Sequence, residues 1–103
     1  MPNVPDFESD VLTESEIRVD KPPLYKVVLH NDDFTTMDFV IYVLRVVFHR
    51  SDMEAFAIMM KVHNEGVGTA GVYTLEVAKM KAEKAMALAR KEEFPFLCTV
   101  EEE

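Results

Sequence analysis

One cysteine, no long apolar run and no basic stripe are what this sequence lacks first. A single thiol, Cys98, cannot close an internal disulfide, which favours a reducing compartment. Without a run of about 18 apolar residues there is no membrane-spanning helix. Met1 to Asp10 carries acids and prolines where a signal peptide needs basic and then apolar residues. These absences predict a cytoplasmic protein with no membrane partner. Nucleic-acid binding needs clustered Lys and Arg, and that class is excluded too. There is no phosphate-cradling glycine loop and no internal repeat.

What is present is acid and apolar surface. The formal net charge is −8, with hydrophobic residues at 49% of 103, enough for one core and one domain. The acidity sits at the ends. Residues 1–22 hold six acids against Arg18 and Lys21, and Glu101, Glu102 and Glu103 add three more. Residues 23–100 are nearly neutral, with ten acids and nine bases. Residues 1–22 also contain Pro2, Pro5 and Pro22 and no sustained apolar period, so they read as a flexible acidic extension. The core is expected over 23–103.

Leu24 to His30 is rich in β-formers and reads as a strand, followed by a turn at Asn31 to Thr35. Thr35 or Thr36 can cap a helix running to about Phe48, with Met37, Val40, Ile41, Leu44 and Val47 on its core-facing stripe. Val43, Val46 and Phe48 widen that stripe. Ser51 and Glu54 form a capping box for a second helix, Asp52 to Asn64, stopping near Gly66. Val67 to Tyr73 is strand-like, with Gly68 and Gly71 marking a bend or a close neighbour. Thr74 caps a third helix over 75–92 whose inner face is mostly alanine, and Phe96 to Val100 is a last strand. The order β-α-α-β-α-β predicts an α+β sandwich, three helices packed on a small, largely antiparallel three-stranded sheet.

Four groups of residues could carry chemistry. Asn31, Asp32 and Asp33 form either a polar turn or a site for a cation or donor, yet a metal ion would want further oxygen ligands at defined spacing. His63 edges an apolar helix face with Phe56, Met59, Met60 and Val62, and is either structural or functional. His30, His49 and Cys98 do not complete a zinc set with it. No metal or other cofactor is expected. Met37, Met59 and Met60 either fill the core or line a pocket for large apolar side chains. Glu76 and Lys81, with Lys79 and Lys84, read as a solvated helix face.

Taken together, these residues lie in segments that resemble the ClpS family. The run Pro22-Pro23-Leu24-Tyr25-Lys26-Val27-Val28-Leu29-His30-Asn31-Asp32-Asp33-Phe34-Thr35-Thr36-Met37-Asp38-Phe39-Val40 is similar to the family's opening. Met59-Met60-Lys61-Val62-His63-Asn64-Glu65-Gly66, Gly71-Val72-Tyr73-Thr74, Glu76-Val77-Ala78 and Pro95-Phe96-Leu97-Cys98-Thr99-Val100-Glu101 follow at matching separations. The resemblance covers roughly residues 22–102.

That resemblance implies a non-enzymatic adaptor of the bacterial N-end rule pathway. Such adaptors bind proteins whose first residue is Leu, Phe, Tyr or Trp and deliver them to ClpA or ClpC unfoldases working with ClpP. Position by position it assigns Asn31, Asp32, Asp33 and His63 to the substrate's α-amino end. Met37, Val40, Met59 and Val62 become walls of the first side chain's pocket, with Thr35 at the rim and Phe96 where leucine is common. Glu76 and Lys81 become docking positions for the unfoldase's amino-terminal domain. Two further departures are Thr36 in place of a common proline and Ala70 in place of a frequent cysteine. An inward Phe96 would shrink the pocket and disfavour Trp and Tyr. The rival readings are an interaction module of the same fold without degron binding, and an enzyme using Asp32 or Asp33 with His63 as acid and base.

In the family a flexible amino-terminal extension can reach the unfoldase pore. Deleting residues 1–20 is therefore expected to leave peptide affinity unchanged and to slow delivery. Fluorescence titration and a degradation assay on the same preparation check the two halves.

Overall fold

The computed structural model of the chain describes residues 22–103. Residues 1–21, most of the expected acidic extension, lie outside the described residues. The elements are β1 (Tyr25–His30), α1 (Met37–Val46), α2 (Asp52–Glu65), β2 (Val67–Tyr73), α3 (Leu75–Lys91) and β3 (Leu97–Glu102). Among the described residues, three helices stack on a three-stranded antiparallel sheet of order β2-β1-β3, so β1 is central.

Alternation explains β1. Val27 and Leu29 have no exposed surface and point into the core, while Lys26, Val28 and His30 line a shallow depression on the opposite face. Cys98 and Val100 oppose Leu29 and Val27 from β3 and pack on the same side. On β2 the register slips between Val27 and Val28, leaving Ala70 as the extra residue of a β-bulge. The bulged carbonyl is used: Arg50 Nε donates to Ala70 O at 2.8 Å.

Each helix starts where its cap stands. Thr36, not Thr35, caps α1, its hydroxyl accepting the Phe39 N–H at 3.1 Å. Ser51 and Glu54 close both bonds of the capping box on α2, at 3.2 and 3.0 Å. Thr74 occupies the N-cap position of α3, but its hydroxyl makes no capping bond. The helix α1 ends at Val46, two residues before the expected Phe48; Val46 is exposed, while Val43, Val47 and Phe48 are buried. His49 in left-handed backbone turns the chain towards α2. Ala78, Ala82, Ala85 and Ala89 are the buried residues of α3 and let it lie close on the sheet.

At Gly68, β2 runs close against α2. A Cβ built on Gly68 would stand 2.8 Å from Val62 Cγ2 and 3.5 Å from the Ile58 carbonyl. Gly68→Ala is expected to push Val62 outward and to cost about 1–3 kcal/mol of stability. The urea midpoint of the purified variant against the parent measures this.

Candidate functional site

The site forms where β1 ends and α1 and α2 meet. Gly66 ends α2 in left-handed backbone, φ 92°, its N–H donating to Val62 O at 2.9 Å. Its carbonyl then accepts the Asn31 N–H, also at 2.9 Å. That single bond fastens the first residue beyond β1 to the end of α2, three residues past His63. Asn31 and His63 are thereby brought to one opening.

The turn after Asn31 is organised by Asp32. Its Oδ1 accepts the Phe34 and Thr35 N–H groups at 2.8 and 2.7 Å, and its Oδ2 accepts the Thr35 hydroxyl at 2.8 Å. This is an Asx turn, in which a short carboxylate replaces a backbone partner. Partial burial works to raise the Asp32 pKa, but the Thr35 and Phe34 N–H groups and the Thr35 hydroxyl outweigh it and hold the carboxyl below its usual value. Asn31, Asp33 and His63 have no side-chain hydrogen-bond partner among the described residues.

Behind these polar groups lies a cavity of about 240 Å³ lined by Asn31, Asp32, Asp33, Thr35, Met37, Val40, Met59, Val62 and His63. Helical spacing supplies the walls. Met37 and Val40 are three apart on α1, and Met59, Val62 and His63 share one face of α2. Val40, Met59 and Val62 are buried, whereas Met37 is 43% exposed and stands at the mouth. Sites for drug-sized ligands occupy roughly 300–1,000 Å³. This cavity is on the scale of one large side chain.

Phe96 does not line it. The ring is buried, packed edge-on against Phe39 with centroids 6.0 Å apart, and Phe39 in turn meets Phe94 at 5.1 Å. An aromatic at this position finds its partners in the core. The expectation that an inward Phe96 narrows the pocket is corrected accordingly. Glu76 and Lys81 lie away from the cavity on α3. Glu76 is exposed, while the Lys81 ammonium donates to Val47 O at 2.7 Å and stands 5.4 Å from the Tyr73 ring centroid. Burial pushes the Cys98 thiol up to about 12, so it stays protonated and inert. No group of three or more potential metal ligands occurs among the described residues.

Residues 20–99 match the family described as ATP-dependent Clp protease adaptor protein ClpS. The chain belongs to the ClpS family. It is 48% identical over 101 residues to the ATP-dependent Clp protease adapter protein ClpS of Nitratidesulfovibrio vulgaris (strain DP4), covering 98% of this chain and 95% of the relative. The corresponding protein of Desulfatibacillum aliphaticivorans is 52% identical over 94 residues, 91% of this chain and 90% of its own. Among solved structures, Agrobacterium tumefaciens ClpS2 bound to L-phenylalaninamide aligns with a TM-score of 0.78 at 38% identity, covering 81% of this chain and 100% of that one. As a ClpS-family protein the chain is an adaptor of the Clp protease and not an enzyme. No described helix is long and apolar enough to cross a membrane.

Sequence reasoning missed the bonds that support the site. The Asn31–Gly66 bond joins residues 35 apart in the chain and left no local signal. The organising role of Asp32 was within reach, because a short Asp side chain in a polar turn bonds the backbone N–H two residues on.

With its folded value below the ordinary one, Asp32 stabilises the turn fully above the unfolded carboxylate value, near pH 4, and loses that contribution as pH falls through the folded value. Asp32→Ala is expected to be less stable than the parent by about 1 kcal/mol at pH 7. The gap should narrow as pH falls below about 4. Urea titrations of both proteins from pH 7 to pH 3 read it.

Proposed function

We propose that this adaptor binds the free α-amino group and large hydrophobic first side chain of N-degron proteins and delivers them to a ClpA- or ClpC-type unfoldase with ClpP, in the cytoplasm. The observation that carries this reading is a set of unpaired oxygen and nitrogen acceptors at the mouth of a cavity sized for one side chain. An α-ammonium brings one positive charge and three donors. The Asn31 carbonyl, the Asp33 carboxylate and a neutral His63 nitrogen are the acceptors it needs. Asp32 holds the turn and retains lone-pair capacity for a further contact.

Met37, Val40, Met59 and Val62 then receive the first side chain, with Thr35 at the rim. Charge-assisted hydrogen bonds contribute roughly 1.5–3 kcal/mol each, and burial of a large apolar side chain about 1.5–3 kcal/mol. After the costs of association, micromolar or tighter binding follows as an order of magnitude. Neither half suffices alone, so an acetylated amino end or an internal Leu is rejected. The ligand of the Agrobacterium relative supports this division, since L-phenylalaninamide carries a free α-amino group and a benzyl side chain.

The face around Glu76 and Lys81 is assigned to the unfoldase's amino-terminal domain. Glu76 is free to pair with a partner, and the Lys81 ammonium keeps two of its three donors after binding Val47 O. An interaction module without degron binding has no use for three unpaired acceptors beside an apolar hollow.

Met37 at the mouth explains how β-branched first residues are refused, because Ile and Val are widest at Cβ, where they meet its side chain. Fluorescence titration with Leu-, Phe-, Tyr- and Trp-started peptides should show binding that acetylation abolishes, and Met37→Ala should admit Ile and Val. Equal binding of the acetylated peptides overturns the reading; an unchanged ranking in Met37→Ala removes Met37 from the selectivity.

A further inference from the structure

We infer that the outer surface between α1 and α2 carries the substrate chain away from the cavity and takes an apolar side chain at about the fourth residue of the substrate, against Phe56. This rests on the degron reading above. Met37, Ile41 and Arg45 stand four apart and form one row along α1. On α2, Asp52, Phe56 and His63 form a second row, four and then seven residues apart. The rows meet at both ends. Met37 and His63 line the cavity together, and at the far end Arg45 Nε lies 2.7 Å from Asp52 Oδ1. An exposed ion pair of this kind adds little stability. Its value is as a marker that the two rows face one another.

Between the cavity and the ion pair the surface is apolar. Phe56 leaves 55% of its surface in water; Met60, one turn along α2, and Ile41, in the middle of the α1 row, are half-buried. Single exposed apolar residues need no explanation. Phe56 differs because it stands on the same row of α2 as His63, which lines the cavity. In the opposite direction α2 closes with Asn64, Glu65 and Gly66, all exposed, where an apolar side chain would gain nothing. Seven helical residues from His63 back to Phe56 rise about 10 Å. About three extended residues span that distance. With the first residue in the cavity, the fourth reaches Phe56, and the Arg45–Asp52 pair ends the apolar stretch.

The test uses full-length protein, L-phenylalaninamide as the short probe, and Phe-started peptides with Leu or Ser at the fourth position. The parent is expected to prefer the Leu peptide by about tenfold. Phe56→Ser should abolish that preference and leave L-phenylalaninamide affinity unchanged, while Phe56→Leu should restore most of it. A Leu preference that survives Phe56→Ser, or no preference in the parent, overturns the inference and leaves the degron reading intact. Loss of L-phenylalaninamide binding by the parent itself overturns the degron reading. Sedimentation of the parent as a dimer that Phe56→Ser dissociates would assign the surface to a second copy and likewise overturn the inference.

Discussion

The Asn31 N–H to Gly66 carbonyl bond is the constraint on which the site depends. A strand end and a helix end each leave backbone groups without partners, and here each supplies the other's. Gly66 can turn its carbonyl towards β1 because it occupies left-handed backbone, which a side chain would strain. From that bond the rest follows locally. Leaving Gly66 the chain pairs as β2 with β1, Val67 opposite His30, and leaving Asn31 it enters the turn that launches α1. Two polar side chains distant in sequence are thus fixed at one opening by backbone alone.

The turn divides labour between its carboxylates. Asp32 spends its oxygens on Phe34 and Thr35, and so keeps the loop rigid and Thr35 on the rim. Asp33 is left without a described partner, its charge still to be satisfied. A site that recognises a small cation gains from this arrangement, because ordering the loop on binding would subtract from affinity. One residue is held so that its neighbours need not move.

Much of this was legible in the sequence for identifiable reasons. The order of elements followed from local signals, namely the Ser51–Glu54 capping box, the Gly66 stop and the alanine face of α3. Membership of the ClpS family was readable because its polar and apolar segments keep their separations over most of the chain. Phe96 was not legible. A motif position states where the backbone passes, and the ring of Phe96 packs edge-on against Phe39, which lies far away in the chain. The capping role of Thr74 failed for a related reason, since a suitable residue at the right position need not turn its hydroxyl to the helix. The bulge at Ala70 and the Gly68–Val62 contact likewise belong to tertiary packing.

Lys81 connects the two faces of the molecule. Its ammonium sits at the carboxy-terminal end of α1, where carbonyls lack intrahelical partners and the helix dipole favours a cation. The same helix carries Met37 and Val40 into the cavity at its other end. Arg50 holds the adjoining segment to β2 through Ala70 O, so α1 is pinned at its tail by side chains from outside it. A residue so placed cannot be read only as surface charge. Replacing it removes a buried carbonyl's partner as well as a charge on α3, and the two effects separate physically: the first acts on the seating of α1, the second on whatever meets α3 from solvent. In sequence Lys81 reads only as a surface charge, solvated or docking, because a lysine stem long enough to reach across helices looks like any other exposed cation.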